Sequence, residues 1–80
     1  MKKIAINIKN NKVHLKDCYY IDQNGETFMV FQNISIALDN EMIKTKRRLH
    51  LCKKCIDNKK NQKKNKDIIN AVKQFNKRKT

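Results

Sequence analysis

The chain has 80 residues, a formal net charge of +13 and a mean hydropathy of −0.87. A chain of this length forms at most one small domain, which often needs a metal, a disulfide or a partner for stability. No apolar stretch approaches the roughly 20 residues that span a bilayer, and polar residues from Asn7 to Asn11 argue against a signal peptide. We therefore expect a cytoplasmic protein that uses neither a membrane nor a small-molecule substrate.

The positive charge is concentrated in the second half of the chain. Residues 1–43 carry five lysines and five carboxylates, whereas residues 44–80 carry fifteen lysines and arginines against two aspartates. An imbalance confined to one half is typical of a segment that faces nucleic acid or another polyanion. We divide the expected single domain, residues 1–80, into a neutral β-rich part at 1–38 and a basic, mainly helical part at 39–80.

The first third of the chain has the period-two pattern of half-buried strands. Isoleucines alternate with polar or small residues in the first run, and Val13 and Leu15 do the same in the second. The Asn-Asn pair at 10–11 tolerates positive φ and is compatible with a two-residue turn. That turn predicts that Ile8 faces Val13 and that Ile6 faces Leu15.

A second hairpin is predicted around Asn24-Gly25, because Asn-Gly is the strongest short hairpin turn. This turn would place Tyr19 opposite Val30. The alternation of apolar residues continues through residues 27–38. These residues form either one long bent strand or a strand followed by a helix that starts near Asn33. The sequence does not decide between these two alternatives.

The C-terminal residues have the spacing of an amphipathic helix. An acidic residue near its start and basic residues at its end suit the helix dipole, and we predict a helix over 67–78. The polar segment 58–66 before it is a solvated linker or an exposed helical stretch. The predicted fold class is α+β, with a three-stranded antiparallel β-meander over residues 3–38 packed against C-terminal helical segments through Ile68, Ile69, Val72 and Phe75.

The cysteines suggest a metal site. Cys52-x-x-Cys55 has the spacing of half a zinc knuckle, and Cys18 with either His14 or His50 could complete it. In a straight strand His14 and Cys18 lie roughly 13 Å apart, so they share a metal only if the strand bulges. The predicted ligands of one structural zinc ion are therefore Cys18, His50, Cys52 and Cys55. The alternative is three reduced thiols without a metal.

The basic half of the chain predicts a polyanion-binding surface. Lysines neutralise phosphates as point charges and release counterions, so contacts to the backbone are expected with little base specificity. The candidate residues are Lys44, Lys46, Arg47, Arg48, Lys53, Lys54, Lys59, Lys60, Lys63 and Lys64.

These features favour a binding protein over an enzyme, because no catalytic motif occurs in the sequence. The leading prediction is a small nucleic-acid-binding accessory protein of phage or mobile-element type. The chain resembles the short basic proteins of phages only in type, and some of those inhibit host defence nucleases, including anti-CRISPR proteins. A protein-binding inhibitor of a nucleic-acid enzyme is therefore the second prediction, and a structural subunit of a ribonucleoprotein or polymerase assembly is the third.

Overall fold

The computed structural model describes residues 2–18 and 28–78 of the chain. Within them, one mixed sheet has the strand order β3-β1-β2-β4, formed by β1 (Ile4–Asn7), β2 (Lys12–Leu15), β3 (Phe28–Phe31) and β4 (His50–Leu51). The helices are α1 (Ile34–Asp39), α2 (Glu41–Lys44) and α3 (Lys66–Arg78). The predicted α+β class is confirmed, with four strands in the sheet rather than three.

The strand order differs from that of the predicted meander. β3 pairs antiparallel with β1, so that Ile4 faces Phe31, and β4 pairs parallel with β2, so that Val13 faces Leu51. All four residues of β1 are buried, as expected for a central strand with neighbours on both sides. The predicted hairpin at Asn24-Gly25 lies outside the described residues.

The first hairpin has a longer loop than the sequence predicts. Ile6 faces Val13, two residues away from the predicted register, and residues 8–11 form the loop. Asn7 stabilises this loop, because its side-chain oxygen accepts two backbone N–H groups and its carbonyl accepts the Asn11 N–H at 2.8 Å. Asn11 has a φ of 62°, which asparagine tolerates. A shift of two residues preserves side-chain parity, so the predicted apolar face is retained.

Asparagine caps decide the structure of the segment that the sequence left open between strand and helix. The Asn33 side chain accepts the Ile36 N–H at 2.9 Å and starts α1. Asn40 then ends α1 and starts α2, where its side chain accepts the Met42 N–H at 2.9 Å. The alternative of a strand followed by a helix starting near Asn33 is therefore confirmed.

The core lies between one face of the sheet and the helices. The predicted C-terminal helix is confirmed, and its buried residues are Ile68, Ile69, Val72 and Phe75. The preceding polar segment 58–66 is not a simple solvated linker. It folds into compact turns that bury Asn65, which is 1 % exposed and accepts a 2.6 Å hydrogen bond from the Lys2 ammonium.

Candidate metal centre and basic groove

Sheet pairing places His14 and Cys52 side by side. Val13 belongs to the core, so His14 lies on the opposite face of the sheet. Val13 also faces Leu51 in the parallel β2–β4 pair, and continuing this register by one residue puts Cys52 beside His14. The Cys52 N–H donates to the Val13 carbonyl at 2.9 Å, which fixes this arrangement.

A turn, not a bulge, brings Cys18 to the same place. β2 ends at Leu15, and the Cys18 N–H donates to the Leu15 carbonyl at 2.9 Å to close a turn over residues 16–17. The separation of roughly 13 Å in a straight strand therefore does not apply. The Sγ atoms of Cys18 and Cys52 are 3.9 Å apart.

Backbone hydrogen bonds position Cys55. The N–H groups of the two residues that follow Cys55 both donate to the Cys52 carbonyl at 3.0 Å, which curls the Cys-Lys-Lys-Cys segment into a knuckle. The Leu15 N–H donates to the Cys55 Sγ at 3.3 Å. The buried Asn65 amide donates to the Cys55 carbonyl at 3.3 Å, so the polar segment before α3 also supports the knuckle.

Four side chains thus form a cluster of the kind that holds a structural metal ion. One ligand atom from each of His14, Cys18, Cys52 and Cys55 lies within 4.8 Å of the others, and none of the cysteines forms a disulfide. The predicted histidine was His50, and the structure corrects that choice. The exposed His50 is not among the four clustered residues, and His14 provides the histidine instead.

The environment of His14 favours a neutral imidazole. Its pKa is lowered, first by burial and then by the positive charge of Lys12. The side chain is 6 % exposed, and its Nδ1 has no hydrogen-bond partner among residues 2–18 and 28–78. The His14 and Phe28 rings instead pack in a T-shaped arrangement, with ring centroids 5.5 Å apart. A buried ring nitrogen with no hydrogen-bond partner can present its lone pair to a metal ion.

The Cys55 sulfur is a thiol in this environment unless a cation is present. Burial raises its pKa well above the ordinary value, and the neighbouring Cys18 and Cys52 thiols add to the increase, while the Leu15 N–H opposes it. A bound divalent cation reverses this balance, because a coordinating thiol loses its proton. The cluster therefore suits a metal ion much better than it suits an isolated thiolate nucleophile.

An open groove of about 710 Å³ borders the cluster, and Cys52 lies in its lining. Its basic side chains come from β2, from the segment around β4 and the knuckle, and from α3: Lys12, Arg48, Lys53, Lys54 and Lys73. Asp57 is the carboxylate of the described lining, and the Gln62 side chain donates to it at 3.0 Å. The groove therefore concentrates positive charge from elements that are distant in sequence.

Asn76 joins the two walls of the groove. Its side-chain oxygen accepts the Leu49 N–H, and its side-chain nitrogen donates to the Leu49 carbonyl, both at 2.9 Å. This pair of hydrogen bonds attaches the segment before β4 to α3. The His50 N–H donates to the Asn11 carbonyl at 2.9 Å and attaches the same segment to the first hairpin loop.

Only part of the predicted basic surface lies in this groove. Of the ten predicted residues, Arg48, Lys53 and Lys54 line it. The Lys46 ammonium donates to the Ile8 carbonyl at 2.9 Å, so this lysine supports the fold. The side chains outside the groove lining and exposed are Lys44, Arg47, Lys59, Lys60, Lys63 and Lys64.

Two of those exposed lysines lie at other depressions. Lys44 lines one beside Phe75 and Arg78, and Lys64 lines one beside Cys55. The groove also includes Lys12 and Lys73, which the charge pattern of the sequence did not indicate. Neither belongs to a run of basic residues, so only the folded arrangement of β2 and α3 reveals them.

Comparisons with protein-family models, curated proteins and solved structures found no match. Across residues 2–18 and 28–78, no helix is both long and apolar enough to cross a membrane. Function therefore has to be inferred from the chemistry of the cluster and the groove.

Proposed function

We propose that the protein is a small cytoplasmic nucleic-acid-binding accessory protein, and not an enzyme, that holds a phosphate backbone in the basic groove. One observation carries the proposal: cations from three separate parts of the chain line the same groove. A groove lined mainly by one sign of charge focuses the electrostatic potential and attracts a polyanion.

The composition of the groove favours backbone contacts over base recognition. Four of its five cations are lysines, which bind phosphates as point charges, and Arg48 alone can make a bidentate contact. Binding of this kind depends steeply on salt, because each neutralised phosphate releases counterions. We therefore expect similar affinity for unrelated sequences and a strong loss of affinity as salt rises.

A matched pair of variants tests the groove. Lys53→Gln/Lys54→Gln removes two charges from it, whereas Lys59→Gln/Lys60→Gln removes two adjacent exposed charges outside it. Fluorescence anisotropy with labelled random-sequence DNA and RNA would measure affinity from about 50 to 300 mM salt. We expect the groove variant to lose about tenfold in affinity and its log–log salt slope to fall by about two.

The control variant should stay within about twofold of the wild type, because it changes the net charge equally without touching the groove. Equal losses in both variants would show that net charge alone, not the groove, binds the polyanion. No binding by the wild type at about 50 mM salt would reject the proposal. A stoichiometric protein partner that survives nuclease treatment would then favour an inhibitor.

A further inference from the structure

We infer that His14, Cys18, Cys52 and Cys55 coordinate one Zn²⁺ ion in a closed tetrahedral site, and that this ion holds the knuckle lysines in the groove. The metal site stands on its own geometry. Its link to the groove rests on the proposed function, so the two parts are tested separately.

The distances match a tetrahedral site after a small contraction. Zinc lies about 2.3 Å from sulfur and about 2.0–2.1 Å from nitrogen, which gives ligand–ligand distances of about 3.5–3.8 Å. The Cys18 and Cys52 sulfurs are already 3.9 Å apart, and no pair of ligand atoms in the cluster exceeds 4.8 Å. Side-chain shifts of about 1 Å or less would bring all four atoms into the coordination sphere.

The donor set selects zinc over magnesium and calcium. Three sulfurs and an imidazole nitrogen are poor ligands for magnesium and calcium, which take oxygen. Four protein ligands leave no open position, as in structural rather than catalytic zinc sites. The buried His14 lone pair provides independent support, since it has no other partner in the described part of the chain.

The charge around the cluster suits the complex. Three thiolates and a neutral imidazole around Zn²⁺ carry one net negative charge, and binding releases the thiol protons to solvent. A depression of about 290 Å³ beside Cys18 and Cys55 is lined by Lys2, Lys54 and Lys64. Asp17 is the carboxylate of the same lining, and the Lys2 ammonium also donates to Asn65, so the surplus positive charge around the depression favours a complex with one negative charge.

The ion would connect the two halves of the chain. His14 and Cys18 flank the end of β2, whereas Cys52 and Cys55 enclose Lys53-Lys54 in the basic half. A metal that joins these segments fixes the knuckle against the sheet and thereby fixes the direction of its two lysines into the groove. Loss of the ion should therefore lower both the stability of the domain and its affinity for a polyanion.

The first experiment measures the metal itself. Protein purified without chelator is analysed by mass spectrometry for metal content, and Co²⁺ is then substituted to record its visible and ultraviolet bands. We expect about one zinc per chain, tetrahedral cobalt bands and thiolate charge transfer from three sulfurs. No bound zinc together with no cobalt bands, or octahedral bands without thiolate charge transfer, would overturn the inference.

The two histidines supply the matched control. His14→Asn should reduce zinc content or weaken zinc affinity at least about tenfold, whereas His50→Asn should retain wild-type content. The opposite pattern would overturn the ligand set. If His14→Asn fails to fold, the wild-type cobalt spectrum still counts the thiolates, and His50→Asn still tests the excluded histidine.

The second experiment measures the link to the groove. Anisotropy with the same random-sequence DNA is repeated after zinc is chelated and again after it is restored. We expect at least an about tenfold loss of affinity that returns with zinc. Unchanged affinity without zinc would overturn the link, while bound zinc without any nucleic-acid binding would overturn the proposed function and leave the metal site intact.

Discussion

The cluster of potential metal ligands and the basic groove adjoin at Cys52. They differ in how precisely the fold positions their side chains. Each side chain of the cluster is placed by sheet register or by a backbone hydrogen bond, such as that from the Leu15 N–H to the Cys55 sulfur. The groove lysines are exposed, and their positions follow only from where their backbones lie. The fold therefore fixes the positions of the side chains in the cluster, whereas in the groove it fixes the concentration of positive charge but not the position of each ammonium group.

This difference separates the two regions experimentally. A change in the cluster should act mainly on folding, and it should reach the groove only through the knuckle. A change of a groove lysine should act on affinity alone, because exposed lysines contribute little to stability.

The largest expected effect is on a cysteine ligand. Cys52→Ser should lower the free energy of unfolding by at least about 3 kcal/mol, since it removes a ligand of the proposed zinc ion from a small core. Urea denaturation followed by circular dichroism measures this. Lys53→Gln/Lys54→Gln, which alters the same knuckle, should change stability by less than about 0.5 kcal/mol. Similar values for both variants would contradict the distinction between the regions.

An intermediate effect is expected at the hydrogen-bonded wall of the groove. Asn76→Ala removes both bonds to Leu49 and should cost about 1–3 kcal/mol, because the partner backbone groups are left unsatisfied. Asn70→Ala on the same helix is the control, since Asn70 is exposed. Thermal unfolding of both proteins measures the difference. Equal melting temperatures would show that the two Asn76–Leu49 hydrogen bonds do not stabilise this side of the groove.

The smallest effect is expected at a single groove lysine. Lys73→Gln should weaken DNA binding by about two- to fivefold and leave stability unchanged, because it removes one phosphate contact. Lys66→Gln, an exposed position on the same helix outside the groove lining, should have a smaller effect. Anisotropy at low salt compares them. A stronger effect from Lys66→Gln would show that the binding surface lies outside the groove.

Local patterns in the sequence predicted the structure well where the interactions are local. The apolar spacing of α3 predicted its buried face, because helix periodicity depends only on residues three and four apart. Alternation also predicted the apolar face of the first hairpin. Its register was two residues off, since the Asn7 side chain makes a longer loop than an Asn-Asn turn needs.

Long-range pairing could not be read from the sequence, and the candidate site depends on it. The sequence identified three of the clustered residues but chose His50, because His14 would be too far from Cys18 in a continuous strand. The turn after Leu15 and the parallel β4 strand remove that obstacle. A strand of two residues such as β4 has too few residues to show any periodicity, so its pairing becomes visible only in the fold.

The most direct test of the metal centre is X-ray absorption at the zinc edge of the purified protein. The proposed zinc site predicts three sulfur atoms at about 2.3 Å and one nitrogen at about 2.0–2.1 Å from the ion, with the nitrogen shell altered in His14→Asn and unchanged in His50→Asn. A coordination shell of oxygen and nitrogen alone, or a nitrogen shell that depends on His50, would contradict the account.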